Sequence, residues 1–311
     1  MQSASKFSIL LALEIPAIFF SIIIFVYFAA NRMARSKFQN HGWLVLVTIS
    51  FIQIVIDLPM PMSFYYVGRV IPASDLYCVW WTWSEFSLNT IGIFLMAWIS
   101  VERYIFIFYS HTIFQGRFKK WMYHFIPIGI CLCWTPFFYC LVVIISPYCS
   151  QTWSFDLIIC GVPCYYIKKS VGEFNFLFNV ALPVSVIFLV NLLLLIRVNY
   201  EKISRHRRIN WRNHRKMILQ LWIISSIYLI CWLPLMITKF VQITVMPTLM
   251  VDYLDIILFN VYLVPLFLPM VCLSTLPKLV RKLTRFIHER NRNKVGVTIV
   301  IGVHQRIGGE R

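Results

Sequence analysis

The sequence predicts an all-α membrane protein, a seven-transmembrane helix bundle followed by a short amphipathic eighth helix. The chain has 311 residues, of which 59% are hydrophobic and only 13% charged, and its mean hydropathy is +0.74. Seven apolar stretches reach the roughly 20 residues that a helix needs to cross a bilayer. The net charge of +17 comes from basic residues that lie between these stretches. That distribution favours an anionic membrane surface over nucleic acid as the partner.

The seven predicted spans follow one another along the whole chain. In order, they are Ser8–Phe28, Trp43–Tyr66, Tyr77–Tyr109, Trp121–Ser146, Phe174–Ile196, Met217–Val241 and Leu254–Leu276. The first span is longer than the apolar run of a signal peptide, so we interpret it as a retained helix.

These spans predict four parts of the chain. Residues 1–7 form a short extracellular N-terminus, and residues 8–276 form the seven-helix domain. Residues 277–288 form an amphipathic helix on the inner leaflet, because Pro277 ends the last span and the apolar residues after it share one face. Residues 289–311 are expected to be a disordered cytoplasmic tail.

The distribution of lysine and arginine predicts the orientation in the membrane. Basic residues are dense in segments 31–42, 110–120 and 197–216 and in the tail, whereas the alternate loops hold only Arg69, Lys168 and Lys169. We therefore expect a multi-pass protein of the plasma membrane with its N-terminus extracellular and its C-terminus cytoplasmic.

The outer cysteines predict disulfide bonds. Cys78 opens the third span, and Cys149, Cys160 and Cys164 fall in the outer loop 147–172. Because the outside of the cell is oxidising, a bridge from Cys78 to this loop is expected. The residues alone leave its partner open, and the two remaining cysteines can pair within the loop.

Short motifs inside the spans carry a family resemblance. The third span contains Glu102-Arg103-Tyr104 near its inner end, and Cys78 lies 25 residues before Arg103. The sixth span contains Cys231-Trp232-Leu233-Pro234. The further matches are Asn40 with Leu46, Trp134, Pro183 and Pro269. Together these residues resemble the rhodopsin-like (class A) G-protein-coupled receptors, over Ser8 to about His288.

The resemblance implies roles for the matched residues. Cys78 would be bridged to Cys160 or to Cys164. The residues expected to switch and to couple to a heterotrimeric G protein are Glu102, Arg103, Tyr104, Pro234 and Pro269. The residues expected to bind an extracellular ligand are Glu85, Asn89, Trp232, Met236, Lys239, Asp255 and Tyr262.

Glu85 is the candidate that the sequence singles out. It precedes Arg103 by 18 residues, which places it about 27 Å further out on the same helix face. A carboxyl group in an apolar span needs a partner, either within the bundle or in a ligand. The outer ends of the spans hold further acids, namely Asp57, Asp252, Asp255 and Glu173. The outer cavity is therefore predicted to be acidic and its ligand to be cationic, either an amine or a peptide.

Several positions depart from the family pattern. The seventh span reads Leu268-Pro269-Met270-Val271-Cys272, without the family's asparagine and tyrosine, and Ser50 replaces the aspartate of the family's sodium site. The inner end of the sixth span, His214-Arg215-Lys216, offers no acid to pair with Arg103. These departures argue against sodium regulation and predict high basal activity.

Enzymatic functions find no support in the sequence. It contains no His/Cys metal spacing, no Gly-rich phosphate loop and, in the last span, no lysine for a retinal Schiff base. We therefore expect neither catalysis nor a cofactor, metal or nucleic acid. The alternatives to a receptor are a seven-helix transporter or channel, although the first three spans do not resemble the last three, and a receptor-like protein that does not signal.

Overall fold

A computed structural model describes seven segments of the chain, residues 3–35, 38–108, 117–145, 149–166, 168–203, 211–244 and 254–274. The chain divides into two units, residues 1–271 and 272–311. The helix bundle belongs to the first unit, since only residues 272–274 of the second are described. The predicted amphipathic helix at 277–288 and the tail at 289–311 lie outside the described residues.

Seven helices are long and apolar enough to cross a membrane. They are α1 (Ser3–Ala30), α2 (38–67), α3 (Asp75–Phe108), α4 (117–145), α5 (169–203), α6 (Trp211–Thr244) and α7 (Leu254–Ser274). The described residues contain no β-strand. The predicted seven-helix membrane fold is therefore confirmed.

The first helix begins at Ser3, earlier than the span predicted from Ser8. Lys6 was expected in the extracellular N-terminus, but only 1% of its side chain is exposed, and it forms an ion pair with Asp255 of α7. Because the bundle itself supplies a partner for the ammonium group, this charged residue continues the helix instead of ending it.

Three helices contain a π-helical turn near a proline. These turns are Gln53–Asp57 before Pro59 in α2, Cys140–Ile145 after Pro136 in α4, and Asn175–Ala181 before Pro183 in α5. Proline has no N–H group for the helical hydrogen-bond ladder, so a carbonyl group nearby is freed and the helix readjusts. The turns in α2 and α5 carry buried polar side chains, which point into the bundle.

Helix α3 is the central element of the bundle. It packs against α2, α4, α5 and α6. Within the bundle, 56% of its apolar central segment is buried, compared with 22% for α1. Polar side chains along α3 therefore meet partners from several helices, whereas α1 presents most of its surface to lipid.

Two disulfide bonds hold the outer loop against α3. Cys78 is bonded to Cys160, with 5.7 Å between their Cα atoms, and Cys149 is bonded to Cys164. The first bond selects Cys160 from the two partners that the resemblance allowed. The Thr82 hydroxyl of α3 also donates a hydrogen bond to the carbonyl of the loop residue Ile159, so the loop is fixed over the outer end of α3.

Candidate functional site

Two buried carboxyl groups face each other between α2 and α3. Asp57 is fully buried and Glu85 is 4% exposed. The Ser84 hydroxyl donates to Asp57 Oδ1 at 2.9 Å, and Asn89 Nδ2 donates to Glu85 Oε1 at 2.7 Å. The two carboxyl groups also interact with each other, and neither Asp57 Oδ2 nor Glu85 Oε2 completes a hydrogen bond of ordinary geometry. Because two carboxylates repel each other when buried, the pair needs a proton or a cation beside it.

Helices α2 and α7 complete the surroundings of Glu85. Gln53 Nε2 donates to Asn89 Oδ1 at 2.8 Å, which leaves the Asn89 amide nitrogen directed at Glu85. The Tyr262 hydroxyl of α7 is buried close to the Glu85 carboxyl, without a hydrogen bond of ordinary geometry. The sequence suggested Asn89 and Tyr262, but it carried no signal that Gln53 and Ser84 would share this site. We name the group Asp57, Ser84, Glu85, Asn89 and Tyr262 the acidic cluster.

Asp255, another predicted ligand-binding residue, lies in a separate ion pair. Lys6 donates to Asp255 Oδ2, and the Tyr65 hydroxyl donates to Asp255 Oδ1 at 3.0 Å. The Lys6 ammonium group also lies 5.0 Å from the centre of the Tyr65 ring and 5.9 Å from that of Phe259. The charge of Asp255 is thus balanced within the protein, so the uncompensated acid near the outer ends of the helices rests more on Asp57 and Glu85 than the sequence predicted.

A second polar network connects α3, α4, α5 and the outer loop. The Tyr139 hydroxyl lies 3.2 Å from the Thr90 hydroxyl and donates to Asn175 Oδ1 at 2.9 Å. Asn179 Nδ2 donates to the same oxygen, and Asn175 Nδ2 donates to the Tyr166 hydroxyl at 3.2 Å. These contacts fix the position of the Tyr166 ring.

Lys239 of α6 lies over this ring. Its ammonium nitrogen is 5.5 Å from the centre of the Tyr166 ring. Burial raises the pKa of the Tyr166 hydroxyl above its ordinary value, so the phenol is neutral at physiological pH and supplies no negative charge. Within the described part of the chain, no carboxylate lies within ion-pair distance of Lys239.

Helix α6 presents its three candidate residues along one face. Trp232 is 5% exposed, Met236 is half-buried, and Lys239 is also half-buried. They are spaced by four and three residues, so they are stacked along the helix with Lys239 outermost. Pro234 lies between the first two in sequence and is exposed, as expected for a residue on the lipid side.

At the inner end of α3, Glu102 pairs with α4. Its Oε1 atom lies 2.5 Å from Nδ1 of His124, and both side chains are buried. Gly42 of α2 packs closely beside this pair, since a Cβ atom there would come within 3.1 Å of the Ile99 side chain and 3.7 Å of Glu102 Oε2. The sequence suggested no partner for Glu102 in α4, because nothing in the linear order shows which helix faces its side chain.

Arg103 and Tyr104 contact two further helices. Arg103 is 3% exposed, and its guanidinium group lies 5.9 Å from the centre of the Trp43 ring of α2. The Tyr104 hydroxyl accepts a hydrogen bond from Arg197 Nη1 of α5 at 3.0 Å. The Glu-Arg-Tyr motif therefore contacts α2, α4 and α5, one residue for each helix.

Comparison with known proteins identifies the family. Residues 20–272 match the family described as 7 transmembrane receptor (rhodopsin family). The chain belongs to the rhodopsin family of seven-transmembrane receptors. The match covers most of the chain and confirms the resemblance drawn from its motifs. No curated protein matches the sequence at a significant level.

Within this rhodopsin-family receptor, the departures from the family pattern lie in the interior. Ser50 is 3% exposed, and Pro269 in α7 is also buried. Asn191 of α5 donates through Nδ2 to the Ser100 hydroxyl of α3 at 3.3 Å. The side chains of residues 211–217, which include His214, lie outside the described part.

Proposed function

We propose that this receptor binds an extracellular cationic ligand, an amine or a basic peptide, and activates a heterotrimeric G protein. The observation that supports this most is the acidic cluster. It holds two buried carboxyl groups, each of which has one oxygen without a well-formed hydrogen bond. The expected contacts of the ligand are Glu85, Asn89, Trp232, Met236, Lys239, Asp255 and Tyr262.

Electrostatics favour a cation at the acidic cluster. Burial of two neighbouring carboxylates is costly unless a positive charge compensates them. Lys6, the buried lysine near the start of α1, is already paired with Asp255. An ammonium or guanidinium group of a ligand would supply both the missing charge and the missing donors for Asp57 Oδ2 and Glu85 Oε2.

Helix α6 is the element through which we expect binding to reach the inner side. Trp232 lies on its buried face, and Pro234 interrupts its backbone hydrogen bonds two residues later. A ligand that prefers one arrangement of α6 shifts the equilibrium towards that arrangement. Outward movement of the inner half of α6 would then open a crevice beside Arg103 for the G protein.

A ligand screen tests the proposal. Cells that express the receptor are exposed to a panel of biogenic amines and basic peptides, and G-protein activation is recorded for wild type and Glu85→Gln. We expect at least one activator, whose potency falls by about tenfold or more in Glu85→Gln, since the variant loses a charge-assisted contact. Equal potency in the variant at equal surface expression would contradict the assignment of Glu85.

A matched control separates the role of Glu85 from a general loss of charge. Glu173 lies near the outer end of α5, and its carboxylate is 3.9 Å from the exposed Lys169 ammonium group. Glu173→Gln removes the same charge from the outer side of the receptor without touching the acidic cluster. Its response is expected to equal that of wild type.

A further inference from the structure

We propose that the ligand carries an anionic group in addition to its cationic one, and that Lys239 binds this group. The inference rests on the proposed function, because it concerns the same ligand. It assigns the ligand to a chemical class, namely zwitterions such as amino-acid derivatives or peptides with a free carboxylate.

The environment of Lys239 supports an anionic partner. The side chain is half-buried on the inward face of α6, one turn beyond Met236. Its contact in the described chain is with the face of the Tyr166 ring, at 5.5 Å from the ring centre. A cation–π contact offsets only part of the cost of removing an ammonium group from water. Since no carboxylate among the described residues reaches Lys239, a ligand is the natural source of the acceptor.

The Tyr166 ring, over which the Lys239 ammonium group lies, is held in place by two further residues. Asn175 Nδ2 donates to its hydroxyl at 3.2 Å, and the Tyr165 ring stacks on it with 4.6 Å between the ring centres. The ring therefore restricts where the Lys239 ammonium group can lie. A cation held in one place by aromatic packing is suited to specific recognition of a carboxylate.

Phe86 connects the anion site with the acidic cluster. It follows Glu85 in α3, and its ring lies 6.2 Å from the Tyr166 ring and 5.6 Å from the Tyr139 ring. Helix α3, which carries Glu85, and helix α6, which carries Lys239, thus both reach the Tyr166 ring, α3 through Phe86 and α6 through Lys239. The proposed ligand places its positive group at Glu85 and its negative group at Lys239.

The charges of the two ends are opposite and complementary to a zwitterion. Asp57 and Glu85 give the α2–α3 side an excess of acid, while Lys239 gives the α6 side a base that no carboxylate among the described residues pairs with. A ligand with a single positive charge would leave Lys239 without an anion. A zwitterion supplies a cation for Asp57 and Glu85 and an anion for Lys239. The contact with Lys239 then distinguishes it from simple amines.

Matched pairs of probes test the inference. Each basic peptide of the screen is prepared as a free acid and as its C-terminal amide, and each amine is compared with the amino acid of the same skeleton. G-protein activation is measured for wild type, Lys239→Met and Lys239→Arg. We expect the acid to be at least about tenfold more potent than the amide on wild type, and this advantage to vanish in Lys239→Met and to persist in Lys239→Arg.

Controls distinguish the possible failures. Lys169→Met removes an exposed lysine and should leave the preference for the acid unchanged. Amines or amides that activate as well as their acids would overturn the inference and leave the proposed function intact. A preference for the acid that persists in Lys239→Met would do the same. No response of wild type to any cationic probe would overturn the proposed function, and the inference with it.

Discussion

At the residue scale, the partner of Glu102 determines what restrains Arg103. Glu102 directs Oε1 to His124 of α4 at 2.5 Å, so its hydrogen-bonding capacity is shared with a helix other than its own. The inner end of α6, His214-Arg215-Lys216, is predicted to offer no acid that could pair with Arg103. Both features favour a low barrier to the active state, which accords with the high basal activity that we propose.

The Glu102–His124 contact can be measured by a double-mutant cycle. Glu102→Gln, His124→Gln and the double variant are compared with wild type for the free energy of unfolding, followed by tryptophan fluorescence. We expect a coupling energy of about 1–2 kcal/mol, because the pair is buried and charge-assisted. The exposed Lys169–Glu173 pair serves as the control and should show a coupling near zero. A coupling near zero for Glu102 and His124 would mean that the contact does not stabilise the fold.

The Lys6–Asp255 ion pair predicts an asymmetric effect of mutation. Asp255→Asn leaves the buried Lys6 ammonium group without a counter-charge, whereas Lys6→Met leaves a half-exposed carboxylate that still accepts from Tyr65. We expect Asp255→Asn to cost on the order of 2 kcal/mol and Lys6→Met less than about 1 kcal/mol. The free energy of unfolding of each purified variant checks this order, and a larger cost for Lys6→Met would contradict it.

At the scale of single elements, the outer loop is fixed by two disulfide bonds with different roles. The bond from Cys78 to Cys160 joins the loop to α3 across 82 residues, whereas Cys149–Cys164 closes 15 residues within the loop. The longer link restricts the position of the loop relative to the helices, and the shorter one restricts only its internal shape.

This difference predicts the effects of removing each bond. Cys78→Ser/Cys160→Ser should lower ligand potency by about tenfold or more and lower the free energy of unfolding by about 2–5 kcal/mol. Cys149→Ser/Cys164→Ser should have the smaller effect on both quantities. Equal losses in the two double variants, at equal surface expression, would show that both bonds position the loop.

The helices were predictable from sequence to a greater extent than the contacts between them. Apolar length and basic flanks were sufficient for seven spans, because a bilayer imposes one length on every helix. Helix α1 begins at Ser3, five residues before the predicted span, since Lys6 can continue the helix only through its pairing with Asp255 of α7. The sequence did not predict the roles of Gln53, Ser84 and His124, because each of them contacts a residue on another helix. The π turns that orient residues such as Gln53 have no simple sequence signature.

At the scale of the whole molecule, the charge distribution predicts the topology. The inner segments hold most of the 29 lysines and arginines, so we propose that the N-terminus is extracellular and the C-terminus cytoplasmic. An epitope tag at the N-terminus should be labelled by antibody on intact cells, and a tag at the C-terminus only after permeabilisation. Labelling in the opposite order would place the acidic cluster on the cytoplasmic side and exclude an extracellular ligand there.

We propose that Arg103 couples this receptor to a G protein, and nucleotide exchange tests this role most directly. The purified receptor in lipid nanodiscs is mixed with each class of heterotrimeric G protein, and GTPγS binding is measured without ligand and with any activator found by the screen. We expect exchange with at least one class to exceed that of empty nanodiscs severalfold, and Arg103→Ala to return it to the empty-nanodisc rate with the helical content unchanged. Exchange by Arg103→Ala equal to that of wild type would contradict the claim, as would a rate no higher than that of empty nanodiscs for every class.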